Sequence, residues 1–276
     1  PIFMRHKHQK PHPKKTPSRR RSNSRKRNKS SGVLWLYGVH AVLAALANPK
    51  RCCHRLVVTP ETRRATGQQI DELMVKLDRI DSVEEATRIK ISTILPEGAV
   101  HQGIALQTDP LPETSLAKLC CVAQAAVNGV AVVLDQVSDP HNVGAVLRSA
   151  AAFGALAVII TEHHAPKATA SLAKAASGAL EQIPLVRVKN LSHAMRKLKD
   201  CGFWCVGLDA YAERSLSDTP MKGLTAMVLG AEGRGLRRLV HESCDLTARI
   251  SLKSGMDSLN VSNAAAIALY EHNRRA

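Results

Sequence analysis

The sequence has few aromatic residues and no long apolar run, and both absences limit what the protein can be. Phe, Trp and Tyr make up 3% of the 276 residues, so a broad aromatic platform for stacking nucleic-acid bases is not expected. No stretch approaches the roughly 18 uninterrupted apolar residues that a membrane-spanning helix needs, so no membrane partner is predicted. A hydrophobic fraction of 45% is nevertheless normal for a globular protein. The chain can therefore form one large domain or two small ones.

The seven cysteines lack the spacing of a disulfide framework or a zinc site. Their number is odd, two pairs are adjacent in the sequence, and no C-x-x-C motif is present. We therefore predict reduced, mostly buried thiols, a cytoplasmic location and no metal ion. His141, His163 and His164 lack ligand spacing with any cysteine or carboxylate, which favours solvated or capping roles.

Acidic residues are absent from residues 1–32, which hold 12 of the 39 Lys and Arg residues. The whole chain carries a net charge of +16, whereas residues 33–276 carry only +4. This low-complexity tail is predicted to be disordered and to supply most of the attraction to RNA. Its predicted RNA contacts are Arg19, Arg20, Arg21, Arg25, Lys26 and Arg27. A solubilising tail and an organelle-targeting segment are the alternatives, although residues 5–32 contain no Leu, Ile or Phe.

Residues 33–108 have the pattern of a small α/β unit. Its predicted elements are helices at 39–46 and 61–77 and strands at 55–59 and 103–106. Pro110 and Pro112 indicate a hinge. Residues 109–128 are therefore interpreted as a linker. They include a predicted helix, 116–127, that either links the two domains or already belongs to the second one.

From residue 129 to residue 276, apolar strands alternate with helices. The predicted strands are 130–135, 157–161, 183–188, 204–208, 226–230 and 248–252, with an Ala-rich helix through Leu180 and a last helix reaching Tyr270. This alternation predicts an α/β fold with a mainly parallel sheet covered by helices on both faces. Ligands of such sheets bind beyond the carboxyl ends of the strands.

The first of three polar segments at such positions is residues 139–142, which leads to Arg148. Asp139-Pro140 is typical of a turn, and Asn142 suits the N-cap of the following helix. That helix carries one apolar stripe, formed by Val143, Val146, Leu147, Ala150 and Phe153. Arg148 lies about 160° from the centre of the stripe, at ~100° per residue. It should point toward solvent, RNA or another subunit; an exposed arginine beside a structural cap is the alternative.

The second segment is the glycine-rich run 230–235, and the third is 258–262. The second lacks the glycine pattern of a dinucleotide site and carries Glu232, which favours a non-phosphate ligand over a phosphate; a plain strand-to-helix turn is the alternative. In the third segment, Ser258 and Asn260 precede an Ala-rich helix. They could cap this helix, or they could line a polar site at its start.

Together these segments resemble the SpoU (TrmH-type) RNA ribose methyltransferases of the SPOUT superfamily. Residues 134–154, 228–236 and 250–271 are similar to that family's three motifs, in order. Residues 37–42 and 101–105 are similar to parts of the substrate-binding domain in its rRNA-modifying branch.

The resemblance implies a trefoil-knotted C-terminal domain, a homodimer formed through it, and S-adenosyl-L-methionine as cofactor. The implied reaction is methyl transfer to a ribose 2′-hydroxyl of RNA, with a guanosine of 23S rRNA favoured and no metal required. The implied catalytic residues are Asn142, Arg148, Glu232, Ser258 and Asn260. The implied cofactor-binding residues are Leu229, Gly230, Gly233, Ile250, Leu252, Ser258, Leu259 and Asn260, and His40 is an implied RNA contact.

The role of Arg148 stays open between two possibilities. The family assigns its equivalent a proton-accepting role from the neighbouring subunit, yet a guanidinium normally stays protonated and could instead fix a phosphate. A tRNA methyltransferase and a non-catalytic RNA-binding protein with a degenerate cofactor domain are the alternative functions. A nucleotide-dependent oxidoreductase is disfavoured, because residues 137–140 lack the glycine fingerprint after the domain's first strand.

Overall fold

The structure is a computed structural model that describes residues 33–77, 80, 82–163, 165–221, 223–253 and 258–275. The six predicted RNA contacts of the tail and His164 lie outside the described residues. Among the residues described, no helix is both long and apolar enough to cross a membrane.

The first sheet is built from residues 34–108. Its elements are β1 (Leu34–Tyr37), α1 (Val39–Ala47), β2 (Cys53–Val58), α2 (Pro60–Leu77), β3 (Ser82–Glu85), α3 (Arg88–Ile94) and β4 (Ile104–Thr108). The strand order is β1-β4-β2-β3, with β2 and β3 parallel and the other pairs antiparallel. The predicted elements are present, while β1, β3 and α3 are additional.

The second sheet has six parallel strands. Its elements are α4 (Leu116–Gln124), β5 (Gly129–Asp135), α5 (Pro140–Ala152), β6 (Ala157–Thr161), α6 (Ala170–Ala175), β7 (Leu185–Val188), α7 (Leu191–Asp200), β8 (Trp204–Leu208), β9 (Leu224–Gly230), α8 (Arg238–His241), β10 (Leu246–Ala248) and α9 (Val261–Asn273). The strand order is β10-β8-β9-β5-β6-β7. The predicted α/β fold with a parallel sheet is confirmed.

Side chains of β5 alternate between two cores. Val132 and Leu134 lie in one buried cluster with residues of α5 and α9, while Ala131 and Val133 lie in the other with residues of α4 and α7. Because successive strand residues point to opposite faces, an uninterrupted apolar run indicates a strand covered on both sides. Helices therefore cover both faces of this sheet, as predicted. Leu119 of α4 lies in the second core, so this part of the predicted linker packs against the parallel sheet.

A buried ion pair joins the first sheet's unit to the segment between α6 and β7. The Arg51 guanidinium contacts the Glu181 carboxylate, and their side chains are 1% and 5% exposed. Arg51 Nη1 also donates to the backbone oxygen of Asp109 at 3.0 Å, and Asn48 Nδ2 donates to Glu181 Oε2 at 2.7 Å. These hydrogen bonds satisfy charges that would be costly to bury alone.

Two predicted elements have different bounds. The predicted strand 248–252 is wrong, because β10 ends at Ala248 and the chain then leaves the sheet toward the site. The helix predicted through Leu180 ends at Ala175, because Ser177 and Gly178 adopt positive φ angles of 47° and 90° that no helix continues through.

Of the seven cysteines, only Cys53, Cys120 and Cys205 are buried, so the prediction of mostly buried thiols is wrong. Burial raises the pKa of the Cys205 thiol to about 12, which makes it unreactive. The exposed Cys52 lies beside His54 and Asp109, with one ligand-type atom of each within 4.8 Å of the others. Sequence spacing did not predict this group, because it joins the start of β2 to the residue after β4.

Candidate active site

Helix α5 begins directly after the central strand β5. Its N-cap is Asp139, whose Oδ1 accepts a hydrogen bond from His141 N at 2.9 Å, and Pro140 occupies the first helical position. The prediction that Asn142 is the cap is therefore wrong. Asn142 lies inside the first turn, so its side chain is available for contacts with other elements.

The loop 230–235 turns back on itself at the end of β9. Gly235 N donates to Ala231 O at 2.9 Å, and Gly233 has a φ of +75°, in the left-handed region that favours glycine. A Cβ on Gly230 would lie 2.1 Å from the carbonyl carbon of Gly235, so a side chain there is sterically excluded. This compact turn places Glu232 at its tip.

Helix α9 begins at Val261, and Asn260 is its N-cap. Asn260 Oδ1 accepts hydrogen bonds from Ser262 N at 2.9 Å and from Ser262 Oγ at 2.5 Å. The amide nitrogen of Asn260 thereby points away from its own helix. Asn260 therefore both caps α9 and takes part in a contact between elements.

Asn142, Glu232 and Asn260 form one hydrogen-bonded cluster. Glu232 Oε1 accepts from Asn142 Nδ2 at 3.0 Å, from Asn260 Nδ2 at 2.7 Å and from Val261 N at 3.4 Å. Asn260 Nδ2 also donates to Asn142 Oδ1 at 3.0 Å. One carboxylate oxygen thus holds the starts of α5 and α9 and the 230–235 loop in a single arrangement, at a surface that remains accessible to a ligand.

A cavity of about 440 Å³ lies beside this cluster at the carboxyl ends of β8, β9 and β10. Seven of the eight predicted cofactor residues line it, namely Leu229, Gly230, Gly233, Ile250, Leu252, Ser258 and Leu259. The eighth, Asn260, belongs to the neighbouring cluster. Glu232 lines the cavity as well as holding the cluster together, so the two parts are continuous.

Sequence reasoning missed several residues that line the same cavity. These are Leu208 at the end of β8, Asp209 and Tyr211 after it, and His241 of α8. His241 Nε2 lies 3.1 Å from Asp209 Oδ2. Asp209 directly follows an apolar strand, and a polar residue at the carboxyl end of a parallel strand indicates a possible ligand site.

Buried Asp135 at the end of β5 is a further residue that the sequence did not single out. Its Oδ2 accepts from Arg237 N at 2.9 Å, and its Oδ1 accepts from Arg237 Nε at 2.8 Å. These contacts anchor the segment after the 230–235 loop to the central strand. Asp135 therefore fixes the position of the segment that follows the 230–235 loop.

Two predicted site residues lie apart from the cluster and the cavity lining. Arg148 is exposed on α5, as the helical rotation predicts, and it makes no hydrogen bond or ion pair with any described residue. His40 is exposed on α1, in the first sheet's unit. Neither residue shares a contact with Glu232.

The cavity has both apolar and polar lining residues, so it suits a ligand that combines apolar surface with polar groups. Its walls include apolar side chains of Leu208, Leu229 and Ile250, and its rim includes the backbone of the glycine-rich turn. The volume lies within the usual range for small-molecule sites. These features fit the adenosyl and amino-acid parts of S-adenosyl-L-methionine.

The fold and the site define an α/β protein with a cavity and a polar cluster at the carboxyl edge of a parallel sheet. Residues 129–270 match the model of the SpoU rRNA Methylase family, and residues 35–114 match a model described as RNA 2′-O ribose methyltransferase substrate binding. The chain belongs to the SpoU rRNA methylase family.

Curated relatives match along nearly their whole length. The chain is 39% identical over 241 residues to the 23S rRNA (guanosine-2′-O-)-methyltransferase RlmB of Photobacterium profundum, covering 86% of this chain and 95% of that protein. It is 36% identical over 240 residues to RlmB of Escherichia coli K12, covering 86% and 96%.

Among solved structures, the fold is similar to the SpoU methyltransferase AviRb of Streptomyces viridochromogenes in complex with AdoMet. The TM-score is 0.73 at 22% identity, over 88% of this chain and 90% of that chain. An AdoMet-bound rRNA methyltransferase from Sinorhizobium meliloti gives a TM-score of 0.71 at 22% identity, over 88% and 87%. These likenesses support the fold.

Proposed function

We propose that the protein transfers a methyl group from S-adenosyl-L-methionine to the ribose 2′-hydroxyl of a guanosine in 23S rRNA. It is thus an RNA 2′-O-methyltransferase. The observation that carries the proposal is the Asn142–Glu232–Asn260 cluster, which adjoins a cavity that fits the cofactor. The substrate follows from the RlmB relatives, whose names specify a guanosine of 23S rRNA as the target.

The cofactor is held by the cavity residues after β9 and β10. Gly230 and Gly233 allow close backbone approach, while Leu229, Ile250 and Leu259 enclose its apolar part. When bound, S-adenosyl-L-methionine supplies an already activated sulfonium methyl group, so the proposed reaction requires no metal ion. Ser258 and Leu252 also line this cavity.

The chain's own residues position the ribose and exclude water from it. A ribose hydroxyl is a weak nucleophile, so in-line placement and proton removal carry most of the rate increase. Asn142 and Asn260 are held by Glu232 before substrate arrives, and such preorganised polar groups cost no reorganisation during the reaction.

Arg148 is proposed to act in the active site of a homodimer, reaching across from the neighbouring subunit. Its exposure on α5 supports this role, as do the exposed Ile267 and Tyr270 on the adjacent helix α9, which offer an apolar surface. A trefoil knot in the second domain and a cytoplasmic location also belong to this proposal.

The proposed domain division is 1–32, 33–108, a 109–128 connection and 129–276. RNA contacts from the tail arginines and lysine and from His40 are assigned to the first two regions. Packing of α4 in the second core supports joining much of the connection to the catalytic unit.

The direct test is methylation of transcribed 23S rRNA by the full chain, with the modified ribose mapped on the RNA. The proposal expects one guanosine to be methylated by the wild-type protein and not by Glu232→Ala. Methylation of tRNA transcripts alone would replace the substrate assignment. Absence of heat in calorimetric titration with S-adenosyl-L-methionine would instead favour a non-catalytic RNA-binding protein.

A further inference from the structure

A second cleft lies over the other half of the parallel sheet. It has a volume of about 480 Å³ and sits at the carboxyl ends of β5, β6 and β7. Gln136 follows β5, His163 follows β6 and Lys189 follows β7 in its lining. Since neighbouring strands are about 4.8 Å apart, the cleft spans on the order of 10 Å.

The cleft has a cationic lining. Lys189, Arg237 and Arg238 all contribute to it, and no carboxylate lies among the lining residues that the structure describes. Arg237 is held in place by buried Asp135, at 2.6 Å between Nη2 and Oδ1, and its side chain is still 48% exposed. Arg238 forms an ion pair with Glu242 at 2.7 Å on the surface. Such an exposed pair contributes little to stability, so Arg238 can leave it to pair with a ligand.

Lys189 is the cation most free to bind a ligand. It is exposed, and it has no ion pair with any residue in the described ranges. It stands directly before Asn190, whose Oδ1 accepts from His193 N at 2.9 Å and thereby fixes the start of α7. The Lys189 charge therefore lies next to the capped start of α7.

The cleft and the cofactor cavity are neighbours that share one segment of chain. Leu236 and His241 line the cavity, whereas Arg237 and Arg238 between them line the cleft. Gln136 of the cleft directly follows β5, and residues 137–139 join it to α5, which carries Asn142. The cleft is therefore connected along the chain both to the cavity and to the Asn142–Glu232–Asn260 cluster.

We infer that this cleft binds the RNA backbone beside the target nucleotide, with Lys189 and Arg238 contacting phosphates. The inference rests on the proposed function, since it assigns the cleft to the substrate of the same reaction. Phosphodiesters are the ligand class that clustered Lys and Arg residues recognise without reading sequence. The cleft therefore sets affinity and the path of the strand, while the cluster at Glu232 sets the chemistry.

The test is RNA binding by the full chain as a function of salt, measured by fluorescence anisotropy with transcribed 23S rRNA fragments and no cofactor. The Lys189→Ala/Arg238→Ala variant should reduce the slope of log K against log salt by about 1.4, at ~0.7 per lost phosphate contact. At ~0.15 M salt this corresponds to roughly tenfold weaker binding. The KM for RNA should rise in parallel.

The matched control is Arg196→Ala/Lys197→Ala, which removes two exposed charges from the distal part of α7. It should keep the wild-type salt slope, and Lys189→Arg/Arg238→Lys should restore it. An unchanged slope in the alanine variant, or an equal loss in the control, would overturn the inference. Because binding is measured without methylation, failure of the proposed function shows separately, as absence of product with wild-type protein.

Discussion

Asn142 Nδ2 lies 3.0 Å from Glu232 Oε1, although 90 residues separate them in the chain. The contact exists because β5 and β9 are adjacent parallel strands, with Asp135 opposite Gly230 in register. The residues that follow the two strands therefore emerge at the same edge. This hydrogen bond makes Glu232 the residue through which the site's loop and helices are aligned.

Glu232→Gln should lower kcat by about 10²-fold, comparable to removing one preorganised hydrogen-bonding group from an active site. The amide keeps the shape but weakens the charge-assisted bonds to Asn142 and Asn260. Methylation kinetics and calorimetric cofactor titration measure the effect, with cofactor affinity expected to change little. The control is Glu242→Gln, an exposed carboxylate of α8's C-terminal end. Equal kcat values for wild type and Glu232→Gln would refute the assignment.

Gly230→Ala should destabilise the fold by at least about 3 kcal/mol and abolish cofactor binding, because the new Cβ would meet the Gly235 backbone at 2.1 Å. Chemical denaturation and cofactor titration report the two effects. Gly67→Ala is the control, since its Cβ would meet nothing closer than 3.9 Å within helix α2. That variant should gain up to about 1 kcal/mol from helix propensity. A Gly230→Ala protein with normal cofactor affinity would contradict the proposed site.

Arg148→Ala should abolish methylation and leave cofactor affinity intact. If Arg148 acts across a homodimer, mixing Arg148→Ala with Glu232→Ala subunits restores one complete site in each mixed dimer. Random reassociation of two-fold dimers then recovers about 25% of wild-type activity. No recovery after verified subunit exchange would place Arg148 in its own subunit's site.

Arg51→Ala should destabilise the protein by about 3–5 kcal/mol, because it leaves the buried carboxylate of Glu181 without its charged partner. Urea denaturation measures the loss. Arg238→Ala breaks an exposed pair with side chains 75% and 54% exposed, so it should cost less than about 0.5 kcal/mol. Equal losses of unfolding free energy in the two variants would show that the buried pair stabilises the protein no more than an exposed pair does.

Acidification below about pH 6.5 should destabilise the fold through its buried histidines. Burial lowers the pKa of His272, whose Nε2 has no hydrogen-bond partner among the described residues. Burial, together with the charges of Arg88 and Lys174, lowers the pKa of His101. Since the unfolded state binds more protons in this range, stability is full above the unfolded pKa and is lost as pH falls.

His272→Leu should therefore flatten the decline of the free energy of unfolding as the pH falls through about 6.5, measured by urea titrations run at stepped pH. His193→Leu, at an exposed position on α7, should keep the wild-type slope. A slope unaffected by His272→Leu would assign the acid sensitivity to other groups.

The sequence by itself determined the α/β class, most strands and the outward direction of Arg148. These follow from local spacing, because apolar periodicity is set by the geometry of a single strand or helix. It also pointed to seven of the residues that line the 440 Å³ cavity, through their positions near the ends of apolar strands and their resemblance to family motifs.

Only the tertiary structure decided which polar residues share a contact. Local pattern offered Asn142 as a cap, but Asp139 caps α5, and Asn142 instead donates to Glu232. The strand order that places β5 beside β9 depends on how helices cover both sheet faces, which no local spacing encodes. Buried Asp135 and the cationic cleft arise from the same long-range packing, so they became visible only in the folded chain.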